Sequence, residues 1–275
     1  MSTSARSIFA LAALLAAVSA QTASAQSYTV KLGGARIDPR ATSSDLKGTL
    51  PVGGGSAVSF ALPAGNQLEV QPKSTLILSI ERAINDHFSA ELVLGVPPKH
   101  DVKVRVGAPV KESASRVAQL TSVVANTGGT SSPYYSSLVG ATVAQRVASY
   151  DGATVATVKQ IAPTLFLNYK FLDAGSALRP YIGVGINYTH FSSTATTAGV
   201  DIYNDGPVRI SLTDSIGFAA QVGASYQIDK NWSLNAGWST AAVKNNITIR
   251  TNHGEQTATY RFHPSVFSAT VGYTF

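Results

Sequence analysis

The stretch Tyr260-Arg-Phe-His-Pro-Ser-Val-Phe-Ser-Ala-Thr-Val-Gly-Tyr-Thr-Phe275 decides the fold. Phe267, Ala269, Val271, Tyr273 and Phe275 fall on one face of a strand, and Val266, Ser268, Thr270, Gly272 and Thr274 on the other. A strand that ends in an aromatic and carries a continuous apolar face leaves an open edge unless it pairs round into a closed sheet, and lipid tolerates no such edge. Aliphatic and aromatic residues outward with small and polar ones inward are the pattern of a transmembrane β-barrel.

Residues 1–25 read as a cleaved export signal. Arg6 supplies the positive start, Ile8 to Val18 the apolar core and Ala23-Ser24-Ala25 the cleavage site, so the mature chain is expected to begin at Gln26. As a helix the apolar run rises roughly 16 Å against a hydrocarbon core of about 30 Å, too little for an anchor. Residues 26–275 are expected to form one outer-membrane barrel. The chain has no cysteine, which excludes disulfide frameworks and thiolate metal sites. Its charged fraction is 13%, about half that of soluble domains, yet mean hydropathy is only +0.11. Apolar residues at every second position reconcile the two. The net charge of +6 is mild and unclustered, which argues against a nucleic-acid partner.

Working outward from the C-terminus, the same alternation recurs. Tyr28, Val30 and Leu32 share a face of a first strand, turning Lys31 inward. Arg40 to about Pro72, rich in Gly, Ser and Pro, reads as a loop with weak extended structure near Ala57–Leu62. Thr75–Ile84 is the second strand, and Asn85-Asp86 turns into a third with Phe88, Ala90, Leu92, Leu94 and Val96 outward and Glu91 and Val93 inward. The fourth is expected over Lys159–Phe171, with Pro163, Leu165, Leu167, Tyr169 and Phe171 on one face. In the fifth, Ile182, Val184, Ile186 and Tyr188 oppose the inward Tyr181, Gly183, Gly185, Asn187 and Thr189. The sixth runs from Ile216 to Ile228 with Gln221 inward, the seventh starts at Trp232, and the C-terminal strand is the eighth.

The fold predicted is therefore all-β, an eight-stranded antiparallel barrel crossing the outer membrane, with tight turns near Asn85, Asp173 and Asp229 and long external loops, the longest about 108–155. Tyr169, Phe171, Tyr226, Trp232, Tyr273 and Phe275 gather at the turn side, where an interfacial girdle belongs. A soluble sandwich also alternates, but the export signal and the terminal Phe275 favour the membrane barrel.

The chain resembles the OmpW family of small outer-membrane barrels. The residues that carry the resemblance are Ala162-Pro-Thr-Leu165 with Tyr169 and Phe171, Arg179-Pro-Tyr-Ile-Gly-Val-Gly-Ile-Asn-Tyr188, Asp214-Ser with Gly217 and Gln221-Val-Gly223, Lys230-Asn-Trp232, and Pro264 to Phe275. Upstream it thins to Ala90-Glu-Leu-Val93 and Pro97 with His100. The resemblance implies an eight-stranded barrel with a narrow, largely apolar lumen, associated with passage of small hydrophobic molecules; from its alternating strands and terminal Phe275 the barrel is expected to be a monomer. The terminal aromatic strand itself resembles the signal read by the barrel-insertion machinery, so Phe275 and Tyr273 are expected to be that assembly signal, with outer-membrane lipid as the other partner. Two departures stand out. The segment between His100 and Pro163 is about forty residues longer than the family pattern, an insertion that a loop tolerates cheaply. The inward positions matching the family's constriction are Val93 and Ser239, and Ser239 is small and polar.

Glu81, Glu91, Lys31 and Lys170 all face inward by alternation. In an interior just wide enough for side chains they are expected to pair as a buried network, the alternative being a polar section of a path. Gly183, Gly185, Gly217 and Gly223 either relieve crowding or hollow out a cavity. His87, His100, His190, His253 and His263 show no metal-ligand spacing and are expected to be solvated. No Gly-x-Ser-x-Gly elbow occurs, so an enzyme is not expected, nor a cofactor. The 108–155 segment is expected to be a surface loop, with a solute-catching rim as the alternative. The function expected is passive passage of small hydrophobic solutes, leaving laterally or through the lumen. The competing readings are adhesion through the loops and a barrel-embedded lipid enzyme.

Overall fold

The computed structural model describes residues 27–54, 56–62, 64–107 and 113–275. The expected export signal and the first residues of the 108–155 segment lie outside them. In chain order the elements are β1 (Tyr28–Asp38), β2 (Ala41–Thr42), β3 (Lys47–Pro51), β4 (Ser59–Ala61), β5 (Gln67–Val70), β6 (Lys73–Ala83), β7 (Phe88–Gly95), β8 (Lys99–Arg105), α1 (Ala114–Asn126) and α2 (Tyr135–Ala148). There follow β9 (Thr154–Ile161), β10 (Thr164–Lys170), β11 (Leu178–Ala195), α3 (Thr197–Asp201), β12 (Arg209–Leu212), β13 (Ser215–Gln227), β14 (Trp232–Ala241), β15 (Val243–Arg250), β16 (Glu255–Phe262) and β17 (Ser265–Thr274).

Eight strands form the barrel in the order β10-β7-β6-β1-β17-β14-β13-β11, and β11 pairs back onto β10 to close the ring. The first and last strands meet antiparallel from Thr29↔Thr274 to Asp38↔Ser265, so the edge of the C-terminal strand is covered on both sides. Alternation makes the wall. On β13, Ile216 and Phe218 are 76% and 83% exposed while Ser215 and Ala219 are buried. Val184, Leu32, Phe267 and Phe275 also face outward, and so broad an apolar surface is stable only against lipid. At the short-turn end, Asn85 accepts from the N–H groups of His87 and Phe88, and Asp229 from those of Asn231 and Trp232. Phe88, Tyr169 and Phe171 pack edge to face in series there, as do Trp232, Tyr273 and Phe275, which is the expected girdle.

The opposite end departs from the sequence reading. The extended stretch expected near Ala57–Leu62 is there as β4, but the rest of Arg40–Pro72 is not simply a loop: β2 and β5 join β8, β9 and the upper part of β11 in one sheet, and β3 and β4 join β16, β15 and β12 in another. Together they raise a dome above the barrel, around a core that includes Leu46, Leu50, Leu68, Val102, Val104, Ile247, Ile249 and Tyr260. Here the alternation is that of a soluble sheet. On β15, Lys244, Asn246 and Arg250 are exposed while Val243, Ile247 and Ile249 are buried.

The connection after residue 112 folds into two helices. Ser113 caps α1 by accepting from the Arg116 N–H, and Leu120 and Val124, four residues apart, are its buried positions. On α2, Val143 and Val147 do the same, and the Arg146 guanidinium donates to the carbonyls of Pro51 (2.9 Å) and Val52 (2.6 Å). A run of Ser, Thr and Gly hid this stripe.

The expected strand over Lys159–Phe171 is two strands. The break falls at Ala162-Pro163, because Pro163 has no N–H to give the ladder, although the outward face stays as read. Facing it, the chain breaks at Val96-Pro97-Pro98 between β7 and β8. Pairing on this seam stops at Val93↔Thr164 and resumes at Lys99↔Lys159, with a Gln160 N–H to Pro98 carbonyl bond between.

Candidate functional site

The interior is organised in three levels, and the lowest is a layer of ions. Alternation on β1, β6, β7 and β10 turns Lys31, Glu81, Glu91 and Lys170 into the lumen, where Lys31 Nζ lies 2.7 Å from Glu81 and 2.8 Å from Glu91. Lys170 Nζ reaches the other oxygen of Glu81 at 2.5 Å. Glu91 is further bound by Ser79 (2.8 Å), Asn168 (2.9 Å) and Gln221 (3.1 Å), and Gln221 also donates to Asn168. Tyr181 lies beneath the Lys31 ammonium with its ring centroid 5.8 Å away. Two cations face two carboxylates, so the layer is neutral as well as hydrogen-bonded, which is what makes its burial tolerable. The network reading of these four charges thus describes their arrangement.

Above the ions is a lumen cavity of about 140 Å³, with Val93, Phe166, Asn187 and Ser239 in its wall and Lys31 and Glu91 in its floor. Val93 and Ser239 do face inward. The large inward side chain is Phe166, which is buried and was not singled out from sequence, though the outward parity of Leu165 and Leu167 placed it inside. Ser79 and Asn168 escaped notice too, and the same parity would have found them, whereas Tyr181 was read as inward and is. Asn187 donates to Thr164 and accepts from Thr189. The inward glycines relieve crowding: a Cβ on Gly183 would strike Asn168 and Gln221, and one on Gly223 the Tyr181 hydroxyl. Gly185 sits against Phe166 and the β10 backbone, and Gly217 against the carbonyl of Ala242. Below the layer lies a separate vestibule lined by Glu81, Lys170, Arg179 and Lys230, and Lys31 borders both spaces. Tyr273 and Phe275 lie outside the lumen, in the girdle.

The third level is a cavity of about 70 Å³ in the dome, walled mainly by Leu, Val, Ile, Phe and Tyr side chains. Gln160 borders it and the lumen cavity, and Asn245 and Phe262 above lead to Val243 and Pro264 below, so the two spaces stack along the same strands. Tyr203 in its wall donates to Gln256 at 2.8 Å, and burial pushes the phenol pKa up.

The histidines are not uniformly solvated. His100 is 1% exposed, packed inward from β8 beside Val102 and Val104, and its Nδ1 donates to the Gln71 carbonyl at 2.9 Å. Burial lowers its pKa from the ordinary value. His190 pairs with Asp214 at 2.8 Å and His253 with Asp205 at 2.7 Å. Burial alone would raise the Asp205 carboxyl, but hydrogen bonds from His253 and Thr251 outweigh it and hold the pKa below the usual range.

Residues 137–275 match the model of the OmpW family. This chain belongs to the OmpW family. It is 35% identical over 126 residues to outer membrane protein W of Escherichia coli (strain K12), an alignment covering 44% of this chain and 56% of that one. Outer membrane protein W of Vibrio cholerae is 32% identical over 126 residues, covering 44% and 55%. The chain thus spans little more than half the length of these curated OmpW relatives. The crystal structure of OprG from Pseudomonas aeruginosa aligns with a TM-score of 0.66 at 22% identity, over 91% of this chain and 96% of that one. AlkL, solved in DMPC bilayers, aligns at 0.51 with 19% identity, over 93% and 94%. The fold is shared with both, and the chain is an outer-membrane β-barrel.

Proposed function

We propose that this OmpW-family barrel passes small hydrophobic molecules from outside the cell through the dome cavity into the lumen cavity, and from there sideways into the membrane. The observation that carries the reading is the stack of an apolar dome cavity and a mixed lumen cavity standing on a neutral layer of paired ions. A solute moving straight down would have to displace Lys31 from two carboxylates in a buried setting, which costs far more than an apolar molecule returns. The proline-rich seam gives a sideways route. Leu94, Pro98, Ala162 and Thr164 border both the seam and the lumen cavity, and Pro97, Pro98 and Pro163 have no N–H to zip it closed. An eight-stranded ring is too narrow for bulk diffusion of sugars or ions. A monomer suffices for this route.

The test is uptake of an apolar and a hydrophilic solute by cells with and without the protein. Ser239→Trp, which fills the lumen cavity, is expected to slow only the apolar solute, and Ala162→Trp at the seam is expected to do the same. If Ser239→Trp slows uptake and Ala162→Trp does not, the sideways exit is wrong. If the protein changes neither uptake, the passage reading is wrong and attachment assays on the dome become the next experiment.

A further inference from the structure

The dome cavity contains a polar feature that its apolar wall does not call for. His100 Nδ1 donates to the Gln71 carbonyl, so in the neutral ring Nε2 carries a lone pair and no proton. That Nε2 is buried and has no hydrogen-bond partner among the described residues, and neither has the buried Oδ1 of Asn245. Both residues line the cavity, from β8 and β15, and they are 1% and 3% exposed. Two other polar residues of the wall satisfy each other: Tyr203 donates to Gln256, and Gln256 in turn to the Thr49 carbonyl. Buried acceptors left unpaired are costly, and native proteins keep few of them. In a wall where Leu or Val would pack equally well, two unpaired acceptors favour a ligand that brings a donor.

We propose that His100 and Asn245 form an acceptor site for the hydroxyl group of an apolar alcohol or phenol, so that the dome cavity favours such molecules over hydrocarbons or ethers of the same shape. The proposal rests on the passage reading for how the molecule arrives, and it names the class of molecule held on the way. The hydroxyl donates to one acceptor while its carbon body lies against residues such as Val102, Ile247 and Phe262. A carboxylate, which brings no proton, would face two lone pairs and be refused.

The experiment uses the full protein in lipid nanodiscs, titrated with phenol and with anisole, in which a methyl caps the oxygen and removes the donor. Binding to empty nanodiscs is subtracted. The phenol is expected to bind about tenfold more tightly, the usual worth of one buried hydrogen bond. In the His100→Leu/Asn245→Leu variant that ratio is expected to fall to about one by loss of phenol affinity alone. Nitrogen NMR of the unmodified protein gives a reading that needs no variant: the His100 Nε2 resonance is expected to move with the phenol and stay still with the anisole. Equal affinities in the unmodified protein, a ratio that survives the double variant, or an unmoved Nε2 resonance would each overturn the proposal. If neither probe binds, the acceptor site is wrong, while the passage reading still stands or falls by the uptake of Ser239→Trp cells.

Discussion

Along β11 the outward positions change from Ile182, Val184 and Ile186 in the barrel to His190, Ser192 and Thr194 in the dome, while the inward ones change from Tyr181 and Gly183 beside the ion layer to Phe191 in an apolar core. One strand obeys two opposite rules, and the switch falls where Tyr188 and His190 both bond Asp214. Below that level lipid takes the apolar side chains, so the interior is free to be polar provided every charge is matched. Above it water takes the polar ones, and the interior becomes an ordinary hydrophobic core. The floor is therefore held by electrostatics and hydrogen bonds, and the dome by burial.

If that division is right, the two regions fail separately and for different causes. The largest effect is expected from Lys31→Met, which leaves Glu91 and half of Glu81 without a cation. Barrel stability should fall by about 3–5 kcal/mol, seen as a lower temperature for loss of the compact band on unheated gels. Adding Glu91→Gln should recover part of the loss, because one charge then faces one charge. A Lys31→Met barrel as stable as the original would mean that the floor is not held by its ions.

Next is Ile247→Ala in the dome core, expected to cost roughly 2–5 kcal/mol of local packing. Protease should then cut the dome strands while the barrel band keeps its melting temperature; coupled loss of both would show that dome and barrel fold as one unit.

The smallest effect is that of pH on the dome. The pKa of His100 is lowered from 6.5 by burial, so the unfolded dome binds more protons than the folded one just below that pH. Its stability should be complete above about pH 6.5 and should decline as the pH drops from there towards the folded-state value, below which the decline stops. Amide exchange of β8 at pH 7.5 and 5.5, corrected for intrinsic rates, should show faster opening at the lower pH, and His100→Gln should flatten the difference. A flat profile in the unmodified protein would mean that His100 is not confined as described.

The barrel was legible because lipid enforces a strict code. Ile216, Phe218, Val222 and Phe267 have no reason to alternate with Gly217, Ala219 and Gly223 unless one side meets hydrocarbon. The ion layer was half legible: four charges at inward positions had to be paired, but which neutral groups would complete them depended on the register that brings Asn168 and Gln221 to Glu91. The dome was missed. Its strands, such as Lys47–Pro51 and Gln67–Val70, are too short to show a period. Lys99–Arg105 and Val243–Arg250 do alternate, with Lys and Arg outward, a pattern easily set aside when strands are sought by their apolar outer face. His100 shows the same blind spot, since a lone histidine between Lys99 and Asp101 reads as solvated until the sheet turns it inward.

The length of β11 sets how far the protein stands off from the bilayer. Its 18 residues span about 60 Å at about 3.3 Å each, which a barrel tilt of about 40° reduces to roughly 45 Å along the axis, against an apolar band about 25 Å tall. About 20 Å of unbroken strand is left over, and all of it projects outward from the cell. The dome cavity is thus carried past the lipid headgroups into bulk water, and on the proposed route an oily molecule meets it before the polar coat that screens the membrane from such compounds.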